Sequence, residues 1–397
     1  MPDNKNQHYV PRCHLRPFTL DRAGAAINMF NHARGIVREK VAVSGQCSKS
    51  YFYGEDLFIE RQLQSLEGRY ARVVRTVENG DRLSVDDLAF LRSFVFLQWC
   101  RTDAAMKRRR DIMEAMEDMA IRGRRGVARQ PLDTSQLSLV YGSLKLWAEG
   151  MRNISDLRVL LLRNQSRVNF VTSDDPAVLT NRLFMQRFHD TNFGVANTGA
   201  MLFLPLGPRY AVACYDHAAY APQGRIGNYL DIKRDRDAQA LNELQFLNSL
   251  SNIYFADRLG EAGRIREHFA AVAHRRPETK FRTWHGVSEG IENGFEAFRR
   301  VQDGELLPPD AVTIQSFSPL YPQPANWLSL LVMRPEISGW IVPGTAGGPR
   351  RQRGPDAPPG IRLMNVGHGP MANRRGGLPD RMYHRLSLEE LESRGVR

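Results

Sequence analysis

The sequence predicts an α+β protein, predominantly helical, with a small N-terminal lobe of strands, a small central sheet and a Pro/Gly-rich C-terminal extension. Three observations carry this reading. Apolar residues recur at three- and four-residue intervals through much of residues 55–150, the spacing of amphipathic helices. The period changes to that of strands between about residues 168 and 215. Beyond Lys280, Pro343-Gly344, Gly347-Gly348-Pro349, Gly354-Pro355 and Pro358-Pro359-Gly360 interrupt the chain with residues that sustain neither helix nor sheet interiors. The expected division is an α+β domain over residues 1–280 and a weakly structured, mobile extension over 281–397. Within the domain, 1–53 form the strand lobe, 54–165 the helical part and 166–280 the sheet with its helices.

Each element has its own justification. In the N-terminal lobe, Ile27-Asn28-Met29-Phe30, Ile36-Val37 and Val41-Ala42-Val43 favour strands and are separated by Gly24, Gly35 and Gly45. Over 55–78, Ile59, Leu63, Leu66, Tyr70, Val73 and Val77 form one apolar stripe, which Asn79-Gly80 ends. Ser84, with Asp87 three residues on, caps the next helix. The first half of that helix, from Leu88 to Trp99, is apolar on nearly every face and belongs in the core. Its second half turns basic and methionine-rich, with Met106, Met113, Met116 and Met119 read as packing. A basic loop over 123–129 leads to a third helix, from Asp133 or Thr134 to about Gly150, and a short helix is expected at 154–163. Strands at 168–172 and 177–179 flank Ser173-Asp174-Asp175-Pro176, and 201–206 with 210–215 make a hairpin around Gly207-Pro208. Helices over 237–255 and 263–274 pack on that sheet, and a short helix at 387–392 closes the chain.

Bulk properties bound the function. A chain of 397 residues, 42% hydrophobic and 25% charged, buries a substantial core. It has no run of about 18 apolar residues and no apolar stretch behind Met1-Pro2-Asp3-Asn4-Lys5, so a cytoplasmic protein without a membrane partner is expected. Cys13, Cys47, Cys100 and Cys214 lie far apart with no C-x-x-C pair, which argues against a zinc ribbon and a disulfide framework. Scattered reduced thiols are expected; a composite zinc site from Cys13, His14, His32 and Cys47 is the alternative. There is no G-x-x-x-x-G-K-[ST], no G-x-S-x-G, no H-E-x-x-H and no dinucleotide-type glycine loop. The oligomeric state is left open.

A net charge of +12 and a pI near 9.8 point to nucleic acid as a partner. The basic residues are 48 Arg against 7 Lys, a bias that GC-rich coding imposes without any function. Position is more telling. Residues 101–129 hold nine basic and five acidic side chains, among them Lys107, Arg108, Arg109, Arg110, Arg124 and Arg125. These six, with Arg12 and Arg16, are the expected phosphate contacts; the ordinary role of such a run is a solvated face.

Two motifs carry chemistry. The first is Gln7-His8-Tyr9-Val10-Pro11, followed closely by Arg12, His14 and Arg16. With Ser50-Tyr51-Phe52-Tyr53, Val171-Thr172-Ser173-Asp174-Asp175-Pro176 and Leu202-Phe203-Leu204-Pro205-Leu206, it resembles the landmarks of a bacterial family of unknown function, number 4238, over about the first two-thirds of the chain. That family has no settled activity. The segment is also similar to the Asp-His-Ile-Val-Pro strand end of histidine-metal finger nucleases. That resemblance implies His8 as general base, a divalent ion (Mg²⁺ or Mn²⁺), and Asn28, Asn31 or His32 as metal or orienting contacts. The motif departs in Gln7, a neutral amide where the nuclease carries a metal-binding Asp. The bland alternative has His8 and His14 bonded to backbone carbonyls, with Tyr9 and Phe18 anchoring the terminus.

The second motif is Ser173-Asp174-Asp175-Pro176. Asp174 and Asp175 at a strand end can bind a divalent metal ion or a ribose, or divide acid and base roles, and a catalytic site joining Asp174 to His8 would be far stronger than either motif alone. Asp-Pro is equally an ordinary turn, and adjacent strand side chains point to opposite faces. The functional expectation is a nucleic-acid-acting protein, with metal-dependent phosphodiester hydrolysis in a toxin or phage-defence setting as its sharpest form. A non-catalytic nucleic-acid module and a protein-interaction or regulatory component are the alternatives.

Overall fold

The computed structural model describes residues 5–21, 24–121, 131–188, 192–256, 260–276, 281–302, 304–306, 313–341, 348–353, 360–366 and 381–395. Its helices are α1 (Arg12–Leu15), α2 (Phe58–Glu78), α3 (Val85–Arg101), α4 (Asp103–Ile121), α5 (Gln136–Gly150), α6 (Asp235–Asn248), α7 (Glu261–Val272) and α8 (Leu388–Ser393). Helix accounts for 38% and strand for 27% of the described residues, spread over several sheets. The chain is therefore α+β but not predominantly helical, a correction that comes from three places.

The first is Arg158–Asn164, expected as a short helix and found as a strand. It lies inside a five-stranded sheet ordered Tyr229–Ile232, Arg158–Asn164, Tyr210–Tyr215, Met201–Gly207, Val178–Thr180, in which only the first pair is parallel. Val159 and Leu161 face the core with α2, α3 and α5, while Leu160 and Leu162 face α6. A strand covered on both faces loses its polar alternation, and a run such as Val-Leu-Leu-Leu then carries no period.

The second is the N-terminal lobe. Ala26–Asn31 and Ile36–Ala42 pair with each other, and Ala26–Asn31 also pairs with Asn252–Phe255, which continues to Thr172–Ser173. These strands form a four-stranded antiparallel sheet with distant parts of the chain, not a separate lobe. Ile27, Met29 and Tyr254 line one face against Val10, Leu15 and Phe18; Phe30, Ile253 and Phe255 line the other against α6 and α7.

The third lies beyond residue 280, where Phe281–Glu292, Phe295–Arg300, Thr313–Pro319 and Arg381–Arg385 form another antiparallel sheet. Leu328, Leu331, Ile337 and Val366 pack into the core on the α6 face of the five-stranded sheet. Arg351, 5% exposed at its side chain, is held by Asp156 and by the carbonyls of Asn153, Val195 and Asn197. Much of this region thus belongs to the body of the protein.

Two helix boundaries also moved. The long helix expected after Ser84 is two, because Thr102 is extended and its hydroxyl accepts from Ala105 N at 3.1 Å, capping α4. The helix expected over 237–255 stops at Asn248, and Asn252–Phe255 is a strand.

Residues 169–177 run between the layers with few ladder bonds of their own, so their buried polar groups need side-chain partners. A seam on α6 supplies them. Asn242 accepts from Val171 N at 3.0 Å and donates to Asn169 O at 2.8 Å. Gln245 accepts from Ser173 Oγ at 2.9 Å and donates to Pro176 O at 2.8 Å, and Asn248 donates to Asp175 O at 2.6 Å. Gln245→Leu keeps the volume but strands two buried groups, so urea unfolding should show a loss of about 2–4 kcal/mol; an unchanged midpoint would show that the seam is dispensable.

Candidate functional site

The polar end of α3 ties the sequence motifs together. Gln98 is fully buried and donates to Tyr9 O at 3.0 Å. Arg101, 1% exposed, donates through Nε to Gln98 Oε1 and through Nη1 to Glu67 Oε1, both at 2.9 Å, with its guanidinium 5.6 Å from the centroid of the Phe94 ring. Thr102 donates to Asp175 Oδ1 at 2.6 Å, and Arg108 Nη1 to Asp175 Oδ2 at 2.5 Å. One helix end thus fastens the Tyr9 backbone, the α2 carboxylate and the Ser173–Pro176 turn. Sequence reasoning passed over Gln98, Arg101, Thr102 and Glu67. The available signal was a glutamine and an arginine inside the apolar run Phe94-Val95-Phe96-Leu97-Gln98-Trp99-Cys100-Arg101, where buried polar groups need partners.

In the N-terminal motif, Gln7 holds the turn after Tyr51: its Nε2 donates to Gly54 O at 2.9 Å and its Oε1 accepts from Tyr53 N at 2.5 Å. His14 is buried between Tyr70 Oη and Thr172 Oγ1, each at 2.8 Å from a ring nitrogen, so its partners are hydroxyls, not backbone carbonyls. Burial, then the Arg101 charge, pushes it down to about 3. His8 is half-buried. Burial and then Arg12 hold its imidazole below the ordinary value, with the Val43 and Ser44 backbone pulling the other way, and its buried Nε2 has no hydrogen-bond partner. Tyr9 rather than His8 feels the acidic motif: burial first, then Cys47, Asp174, Asp103 and Asp175, raise its phenol.

The Asp174 carboxylate accepts from Leu250 N at 2.8 Å, Ser251 N at 2.8 Å and Asn252 N at 2.9 Å. Burial pushes it up to about 7 against the pull of those three N–H groups. Asn31 donates to Asn252 Oδ1 at 2.8 Å and accepts from Arg34 N at 2.9 Å, while His32 stacks on Phe269 with centroids 4.7 Å apart. A divalent ion at Asp174 would have to displace backbone donors, and one at Asp175 would have to displace Thr102 and Arg108. No group of three or more His, Cys, Asp or Glu is placed to hold a metal among the described residues. Of the composite set, Cys13 donates to Glu67 O, Cys47 donates to Tyr254 Oη, and His14 is taken by two hydroxyls. All four cysteines are free thiols. Arg12 and Arg16 are exposed, and Arg124 and Arg125 lie outside the described residues.

Beside Asp175 opens a cleft of about 860 Å³ between α4, α5, the C-terminal end of α6, Arg276 and residues 320–322. Lys107, Arg108, Arg109 and Arg276 line it with Asp111, among mainly apolar walls that include Trp99, Met113, Leu146 and Tyr321. Lys107 pairs with Asp111 at 2.8 Å and Arg108 with Asp175. Arg276 donates to Phe246 O at 2.8 Å and Ser249 O at 2.6 Å. Arg109 lies against the Cα of Gly142, where a Cβ would meet its Nη2 at 2.5 Å, and has no ion-pair partner among the described residues. A mainly apolar, cation-lined cavity of this size suits an anionic ligand with a flat apolar part.

The fold and this cleft define an α+β protein with a cation-lined pocket at the junction of its helical and sheet layers. The chain belongs to the family described as Protein of unknown function (DUF4238), whose model matches residues 6–258. Nothing matches among curated proteins, and nothing among solved structures. The matched span carries α4, α5 and α6, whereas Arg276 and Tyr321 of the cleft fall outside it.

The buried His14 makes stability depend on pH. Unfolded, it titrates near 6.5; folded, at about 3. Between those values the unfolded chain binds the additional proton, so its contribution is complete above 6.5 and lost as pH falls, with a slope approaching about 1.4 kcal/mol per pH unit. Urea midpoints across this range should lose that slope in His14→Gln; an equal slope in the variant would assign the acid loss to other groups.

Proposed function

We propose that this is a cytoplasmic nucleic-acid-binding protein that takes single-stranded segments into the cleft beside α4. The observation that carries the reading is the meeting of Arg109, whose charge is unspent on any described carboxylate, with Trp99 and Tyr321 in one 860 Å³ cavity. Single strands are held by cations that track phosphates and by aromatic side chains on which bases stack. The test is fluorescence anisotropy with labelled single-stranded DNA and RNA at increasing salt. Affinity should fall with a log–log slope of about −0.7 per phosphate contact, and Arg109→Ala should weaken binding and remove about one such contact. A flat salt dependence, or an Arg109→Ala variant that binds like the parent, would overturn the reading.

A second reading, phosphodiester cleavage with His8 as general base, is favoured by one observation: the buried Nε2 of His8 has no hydrogen-bond partner, on a ring whose charged form is disfavoured. A neutral imidazole with an unengaged ring nitrogen is the form that removes a proton from water, and this buried nitrogen would act once substrate binding brings a water to it. Plasmid DNA and total RNA incubated with and without Mg²⁺ or Mn²⁺ should be cut by the parent and not by His8→Ala. Intact substrate throughout, or equal cutting by the variant, would leave the binding reading alone.

A further inference from the structure

We infer that the cleft has a second subsite on the other side of residues 249–252, so that the protein holds an extended single strand of several nucleotides rather than one unit. This rests on the binding reading above. A separate cavity of about 470 Å³ is lined by Met29, Asn31, Arg34, Arg38, Ser251 and Asn252 with their neighbours. Consecutive residues of one segment line the two spaces: Leu247 to Leu250 face the cleft, and Ser251 and Asn252 face the second cavity.

That segment is a fixed wall. Asp174 takes the N–H groups of Leu250, Ser251 and Asn252, and Arg276 takes the carbonyls of Phe246 and Ser249. The chemistry of the second cavity matches a nucleotide. No carboxylate lines it. Arg34 and Arg38 are exposed and have no ion-pair partner among the described residues, so their charge is available to phosphate. Asn31 fixes the Asn252 amide by donating to its Oδ1 at 2.8 Å, and Asn252, which lines the cavity, has an amide nitrogen that can donate to a base edge. Met29 supplies an apolar contact. Asp174 thereby acquires a positioning role: it sets the wall across which the two subsites stand.

The experiment measures affinity of the full chain for oligothymidylate and oligouridylate of increasing length, with an Arg34→Ala/Arg38→Ala double variant alongside. Both substituted side chains are exposed, so the fold should stand, and circular dichroism with urea unfolding checks this. The parent should gain affinity with length until both subsites are filled. The double variant should bind short oligomers as the parent does but lose about tenfold on long ones, with a salt slope smaller by about 1.4 for two lost phosphate contacts. A parent that binds short oligomers without gaining on long ones overturns the second subsite and leaves the cleft reading standing. So does a double variant indistinguishable from the parent on long oligomers. A parent that binds no oligomer overturns both.

Discussion

Much of the architecture depends on satisfying one irregular segment. Residues 169–177 pass between the helical layer and two sheets, buried along their length, with only Thr172 and Ser173 in a ladder. Each buried N–H or C=O left without a partner there costs on the order of 1–3 kcal/mol. The solution is a set of amides on α6 and hydroxyls and carboxylates on the segment itself. Because Asn242, Gln245 and Asn248 stand three residues apart, one helix face meets the segment along its length. Asp174 and Asp175 do complementary work: the first takes the N–H groups of Leu250, Ser251 and Asn252, just past the end of α6, and the second draws in α4 through Thr102 and Arg108. The cleft opens beside this junction, lined by α4 and by the residues at the end of α6.

Charge is used in the same way. Arg101, Arg108, Arg276 and Arg351 each donate to the protein's own carbonyls or carboxylates, a role that suits the planar guanidinium fork and not the point charge of lysine. These four arginines are geometrically committed inside the protein, so the cations able to reach a partner directly are those with no such internal bonds.

What was legible in the sequence follows from locality. The stripe of Ile59 to Val77 gave α2 nearly to its ends, and Ser84 caps α3 through Asp87 N at 3.0 Å as its spacing implied. The hairpin around Gly207-Pro208 and the Ser387 cap of α8 are equally local. Arg158–Asn164 was misread because burial on both faces erased its period, and the end of α6 because the carboxylate that takes Leu250 N just past it lies 76 residues upstream. The site suffers most from distance. His14 meets Thr172 across 158 positions and Arg108 meets Asp175 across 67, and no residue pattern records such meetings. The motif residues announced themselves by composition, whereas Gln98 and Arg101 could be found only by asking why polar groups stand in an apolar helix.

Leu328, Leu331, Ile337 and Val366 press against the five-stranded sheet from beyond the span that the family shares. The core of this chain therefore reaches past the end of the matched span. A fragment cut at the end of the matched span would keep every motif and the α6 cover, yet lose the part of this core that Leu328, Leu331, Ile337 and Val366 supply beside it. The residues beyond the match thus serve this chain as a clamp: they close over one side of a sheet whose strands all lie within the match.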